Sequence, residues 1–127
     1  MKDTKGGGLM IINKKNSIFK LNKKETNHSD ILLTMCSMIN FEFMIILVYF
    51  ACDNNERNKK ISSEVERLIR KYENMPVLIL GDMNAHVGFL GPQKLNNKGR
   101  IILDWLDKLD LTLLNLDVNC QGEITWC

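Results

Sequence analysis

Pro76-Val77-Leu78-Ile79-Leu80-Gly81-Asp82-Met83-Asn84-Ala85-His86 is the stretch that decides the fold. Pro76 opens an unbroken apolar run, Val77 to Leu80, of the kind a strand shows when both of its faces are covered, which predicts a central strand. Behind it, at the carboxyl end, stand Gly81, an acid and an amide. That end of a strand is where an α/β sheet opens the crevice that receives ligands. Asp82 and Asn84 are two residues apart, so extended backbone would project both to one side. A carboxylate that orients or deprotonates water, beside a carboxamide that donates to a phosphoryl oxygen, suits hydrolysis of a phosphate ester. Taken alone, Gly-Asp after a strand is equally an ordinary turn, and asparagine tolerates left-handed backbone.

The flanks of this stretch supply the rest of an α/β pattern. Between Asn55 and Glu73, Ile61, Val65, Leu68, Ile69 and Tyr72 recur at helical spacing with charged residues elsewhere, which predicts one amphipathic helix lying on a sheet. Its start is open: Ser63-x-x-Glu66 could form a capping box, and an earlier start fits equally well. Further upstream, Ile31 to Met38 and Phe41 to Phe50 read as two strands around Asn40, close enough to form an antiparallel hairpin. Gly6-Gly7-Gly8 reads as a turn into a short strand, Leu9 to Ile12, and Asn13 to Lys24 as a solvated, lysine-rich loop. Downstream, Ile102, Trp105, Leu106 and Leu109 predict a second helix, with Asn96 or Asn97 as its N-cap. Leu111 to Asn115 reads as a further buried strand, and Ile124 to Cys127 as the start of another. Strands alternating with helices predict an α/β arrangement whose sheet faces are covered by helices.

With 127 residues, 45% of them hydrophobic, the chain is one domain or a piece of one, with enough apolar side chains for a core. The longest apolar run, Phe43 to Cys52, is too short to span a membrane, and the charged, glycine-rich start shows no secretory signal. An intracellular location, nuclear or cytoplasmic, is therefore expected. Cys36, Cys52, Cys120 and Cys127 form no Cys-x-x-Cys pair, which argues against a zinc or redox motif and for reduced, mostly buried thiols. A net charge of +2 is too small to announce nucleic-acid binding by itself, although seven lysines face three acids in the first thirty residues. The triple glycine lacks the Gly-Lys-Ser/Thr ending of a phosphate-binding loop, and neither Gly-x-Ser-x-Gly nor His-Glu-x-x-His occurs.

The apolar strand, Gly81-Asp82-Met83-Asn84-Ala85-His86, Asn96-Asn97-Lys98-Gly99-Arg100, a Leu-rich helix, Leu113-Leu114-Asn115 and Thr125-Trp126 follow in an order that resembles the endonuclease/exonuclease/phosphatase family. That family includes abasic-site endonucleases, deoxyribonuclease I, phosphoinositide phosphatases and retrotransposon nucleases. Gly6-Gly7-Gly8-Leu9 resembles its glycine-led strand, and Ile46-Leu47-Val48-Tyr49 the strand ending in its active-site tyrosine. The likeness runs from about Gly6 to Trp126 and is most specific from Pro76 onward. The second helix and the terminal Thr-Trp favour the non-LTR retrotransposon or craniofacial-development-protein-like branch over lipid phosphatases.

What the resemblance implies is part of a four-layer α/β sandwich, two packed sheets flanked by helices, with residues 1–127 forming a partial domain. It implies that Asp82 aligns the nucleophilic water, Asn84 holds the scissile phosphate, and Tyr49 contacts that phosphate or the nucleophile. The family usually has proline two residues after this tyrosine, where this chain has Ala51. His86 either faces DNA or is simply exposed, and Asn115 has a turn-forming or hydrogen-bonding role. DNA is the implied partner, and Mg2+ or Mn2+ the implied cofactor.

No residue of this chain is assigned as a metal ligand. The family's metal-holding glutamate and the asparagine before it lie ahead of the glycine-led strand, and its Ser-Asp-His segment follows the Thr-Trp. The chain is thus expected to be truncated at both ends, weakly active or inactive by itself, and prone to self-associate through open sheet edges. A Mg-dependent DNA endonuclease fragment of retrotransposon origin is the leading expectation. The alternatives are a non-catalytic remnant acting as a binding scaffold and a phosphatase of the same fold.

Overall fold

The computed structural model describes residues 8–88 and 94–116. Three strands come first, β1 (Lys20–Lys24), β2 (Ile31–Met38) and β3 (Phe41–Tyr49), then helix α1 (Asn55–Lys71), strand β4 (Val77–Asp82), helix α2 (Asn97–Lys108) and a 3-10 turn at Leu114–Leu116. The strands form one sheet in the order β1-β2-β3-β4. β1, β2 and β3 pair antiparallel, and β4 joins β3 in parallel after the crossover through α1. The predicted hairpin therefore holds, with Ile31 opposite Val48 and Met38 opposite Phe41.

Strand alternation sends Ile31, Leu33 and Met35 of β2 and Met44, Ile46 and Val48 of β3 to one face. That face forms the core with Ile61, Val65 and Leu68 of α1 and Ile102 and Trp105 of α2. Phe50, fully buried, stacks at a tilt on Trp105 with ring centroids 5.6 Å apart. The two helices are joined by a hydrogen bond from the Trp105 indole N–H to Ser62 Oγ at 3.0 Å. The opposite face of the sheet carries Ile45, Leu47 and Tyr49 of β3, with Leu78, Leu80 and Asp82 of β4 beside them.

Helix starts and stops follow capping chemistry. α1 begins at an Asn54 cap whose side chain accepts from Arg57 N–H, so the earlier of the two starts is the real one. Ser63 instead donates back to the Lys59 carbonyl inside the helix. Asn96 caps α2 by accepting from Gly99 N–H at 2.7 Å. α2 ends as Asp110 turns left-handed (φ 52) and Leu111 N–H reaches back to the Leu106 carbonyl.

Four expectations are corrected. Leu111 to Asn115 is not a strand: the chain leaves the left-handed Asp110 and coils into the 3-10 turn, and its apolar residues have no described strand to pair with. Leu9 to Ile12 pairs with no described strand, and Ile12 is highly exposed. The lysine-rich stretch hides β1, whose five residues pair with β2 from Lys20–Ser37 to Lys24–Leu33; pairing needs only backbone, so lysines at an edge are compatible with it. Among the described residues β4 is the last strand of the sheet rather than a central one, and its side chains are half-buried to exposed. Of the two described cysteines, Cys36 is buried and Cys52 exposed. Burial raises the Cys36 thiol pKa. Gly6, Gly7, Cys120 and the Ile124–Cys127 strand start, with its Thr125-Trp126, lie outside the described residues. No helix among the described residues is long and apolar enough to cross a membrane.

Candidate active site

Two neighbouring parallel strands end at the same level. The register of β3 and β4 sets Tyr49 directly opposite Asp82, and their separation is about 4.8 Å across the sheet. Alternation puts both side chains on the face away from the helices. The Phe50 N–H continues the ladder one residue further, donating to the Asp82 carbonyl at 3.0 Å. Gly81 makes this approach possible: its φ is +144°, and a Cβ there would lie 1.8 Å from the Val48 carbonyl oxygen.

Extended backbone stops at Asp82, so it is not alternation that brings the acid and the amide together. Asn84 adopts a left-handed conformation (φ 45), and its N–H donates to Asp82 Oδ1 at 3.1 Å, closing an Asx turn. The Asn84 carboxamide donates through Nδ2 to the Phe50 carbonyl at 2.8 Å. One of its two amide hydrogens thus ties β4 to the loop after Tyr49, leaving the second hydrogen and Oδ1 for another partner. His86, half-buried, is held by its backbone: its N–H donates to Asn96 Oδ1 and its carbonyl accepts from Asn96 N–H, both at 3.0 Å. Asn96 also donates to the Asn84 carbonyl at 3.0 Å, so the cap of α2 fixes the path of the whole Asn84–His86 turn. Gly99 lets the helix come this close, since a Cβ there would sit 2.0 Å from the His86 oxygen.

Two further residues shape the site: Asn58, not singled out in the sequence, and Lys98, quoted there only within the Asn96–Arg100 stretch. Asn58, buried in α1, accepts from Ala51 N–H at 2.9 Å and donates to the Ala51 carbonyl at 2.8 Å, so the loop after Tyr49 is shaped by this side chain. Lys98, buried at the start of α2, donates from Nζ to the Cys52 carbonyl at 2.7 Å. A polar residue on the inner face of each helix was the available signal, because an amide or ammonium there must find a partner. Next to Tyr49, whose N–H donates to the Asp30 carbonyl, the Asp30 carboxylate is gripped by Arg57 at 2.5 and 2.7 Å. That hydrogen bond raises the guanidinium pKa above its ordinary value.

The structure thus gathers Tyr49, Asp82 and Asn84 at one corner and keeps His86 at its rim by backbone bonds. Among the described residues no group of three or more His, Cys, Asp or Glu side chains is placed to hold a metal ion. Magnesium requires near-octahedral oxygen ligation. Asp82 supplies one carboxylate there, and the Asp30 carboxylate beside Tyr49 is taken up by Arg57, so the described residues do not by themselves fit that ion.

The fold is similar to that of the endonuclease domain of TRAS1, a telomere-specific non-LTR retrotransposon. The two superpose with a TM-score of 0.69 at 18% sequence identity, over 84% of this chain and 46% of that one. This chain therefore has an α/β fold of the endonuclease/exonuclease/phosphatase type and spans about half the length of that solved domain. The sequence pattern of the endonuclease-reverse transcriptase family matches residues 43–125, well over half the chain, and the chain belongs to that family. No curated protein matches it.

Proposed function

We propose that this chain is part of an endonuclease domain that hydrolyses phosphodiester bonds in DNA with the help of a divalent ion, magnesium or manganese. The observation that carries this reading is the register that sets Tyr49 beside Asp82, with Asn84 pinned to the same corner. Asp82 orients the attacking water and takes up its proton; the free hydrogen of the Asn84 carboxamide and the Tyr49 hydroxyl donate to phosphate oxygens, where negative charge builds up. His86, on the rim, contacts the flanking DNA. Because the described residues gather no set of ligands at the corner, the metal needs further oxygen ligands, and the 127-residue chain alone has low activity.

The test is nicking of supercoiled plasmid in Mg2+ or Mn2+, by the chain alone and by the chain joined to its flanking coding sequence. The longer protein is expected to nick, and Asp82→Asn to reduce nicking at least about 100-fold. Nicking that survives Asp82→Asn in the longer protein would refute the assignment of Asp82. The lack of a clustered metal-ligand set among the described residues favours a second reading, a non-catalytic scaffold of the same fold. That reading predicts no nicking by the longer protein in either metal.

A further inference from the structure

Three successive carbonyls after Tyr49 are each taken by a side chain from a different part of the fold. The Phe50 carbonyl accepts from Asn84 Nδ2 at 2.8 Å, the Ala51 carbonyl from Asn58 Nδ2 of α1 at 2.8 Å, and the Cys52 carbonyl from Lys98 Nζ of α2 at 2.7 Å. The Phe50 and Ala51 N–H groups are engaged as well, with the Asp82 carbonyl and with Asn58 Oδ1. The segment that follows Tyr49 and anchors Asn84 is thus held from three sides.

Lys98 is the costly member of this set. It is 8% exposed, and among the described residues it takes part in no ion pair. It also stands in the first turn of α2, at the positive end of the helix dipole, where an acid is favourable and a cation is not; this turn contains no acid. A buried ammonium without a counter-charge opposes folding, and an unbranched methionine would fill much the same space without that cost. The bond to Cys52 recovers little of it, because Cys52 is exposed and water can serve its carbonyl once the lysine is gone. Stability therefore does not account for lysine at this position. What the lysine does is hold a carbonyl two residues from the one that anchors Asn84.

We propose that Lys98 is a positioning residue of the corner: by gripping the Cys52 carbonyl it fixes the segment from Phe50 to Cys52, and through it Tyr49 and the Asn84 carboxamide. The effect on turnover rests on the phosphodiesterase reading, whereas the first readout, amide exchange, needs no activity. In the 127-residue chain, Lys98→Met is expected to leave the urea midpoint unchanged or raised. Amide exchange at Phe50 and Ala51 should nevertheless speed up about fivefold or more, the factor that one lost hydrogen bond supplies. Arg100→Gln removes a cation from the same turn of α2, where Arg100 bonds the Asn97 side chain rather than the loop, and is expected to leave both exchange rates unchanged. In the protein extended by its flanking coding sequence, Lys98→Met is expected to lower kcat for plasmid nicking at least about tenfold at unchanged KM, because reacting groups are misplaced while the DNA still binds. A lowered urea midpoint, exchange equal to wild type, equal acceleration by Arg100→Gln, or a raised KM with kcat intact overturns the proposal. An extended wild type that does not nick, with the exchange result as expected, supports the positioning of the segment and counts against the phosphodiesterase reading alone.

Discussion

Replacing Asn58 with alanine removes a side chain bonded to both backbone groups of Ala51, and the structure sets the cost. Asn58 is 1% exposed, so water has no room to replace its carboxamide without the loop moving. The bonds to Ala51 N–H and C=O measure 2.9 and 2.8 Å, and each orphaned backbone group costs about 1–3 kcal/mol. Ala51 itself is half-buried, which gives water partial access and places the sum near the lower part of that range, about 2–4 kcal/mol. For a domain with a stability of about 5–15 kcal/mol this is a large fraction. With a urea slope of roughly 1.5 kcal/mol/M, the unfolding midpoint should fall by about 1.3–2.7 M at unchanged slope. The loop after Tyr49 should loosen as well, visible as faster amide exchange at Phe50, whose N–H bonds the Asp82 carbonyl. A midpoint within about 0.3 M of wild type would refute the view that Asn58 shapes this loop.

Other substitutions probe the remaining joints. Gly81→Ala places a Cβ 1.8 Å from the Val48 oxygen at a positive φ, so it should destabilise by about 3 kcal/mol or more, seen as a lowered melting temperature; a melt equal to wild type would show that the β3–β4 junction is looser than described. Ser62→Ala leaves the buried Trp105 indole N–H without its acceptor and should cost about 1–2 kcal/mol in urea unfolding, whereas no change would mean that the N–H finds another partner. The Glu64 carboxyl pKa is lowered, chiefly by its hydrogen bond with Arg67, so its contribution to stability is full above the ordinary glutamate pKa of about 4.3 and disappears as pH falls through its lower folded value. The urea midpoints of wild type and Glu64→Gln should therefore differ most near neutral pH and converge in acid below about pH 4; a gap that widens in acid would contradict the sign of the shift.

Much of this architecture was legible in the sequence because it depends on local pattern. The apolar periodicity of Ile61, Val65 and Leu68 and of Ile102 and Trp105 reports helices whose buried faces any sheet would cover. The β-branched and apolar runs of β2 and β3, two residues apart, report a hairpin. Gly81-Asp82 after Val77-Leu78-Ile79-Leu80 marked a polar corner at a strand end. Where local signals are ambiguous, the reading failed. Leu111 to Asn115 is as apolar as a strand, yet after the left-handed Asp110 it coils into a 3-10 turn; β1 is rich in lysine, yet its backbone pairs with β2.

What the sequence by itself determined, then, is which segments carry the core and which residues could do chemistry. Only the tertiary structure decided that Tyr49 is opposite Asp82, that Asn84 reaches its neighbours through a left-handed turn and a bond to Phe50, and that Asn58, Lys98 and Asn96 hold the corner together. Strand register and side-chain-to-backbone bonds join residues dozens of positions apart, and their geometry is set by the packing of α1 and α2 on the sheet. Hydrophobic periodicity along one segment carries no record of which residue of another segment will lie beside it.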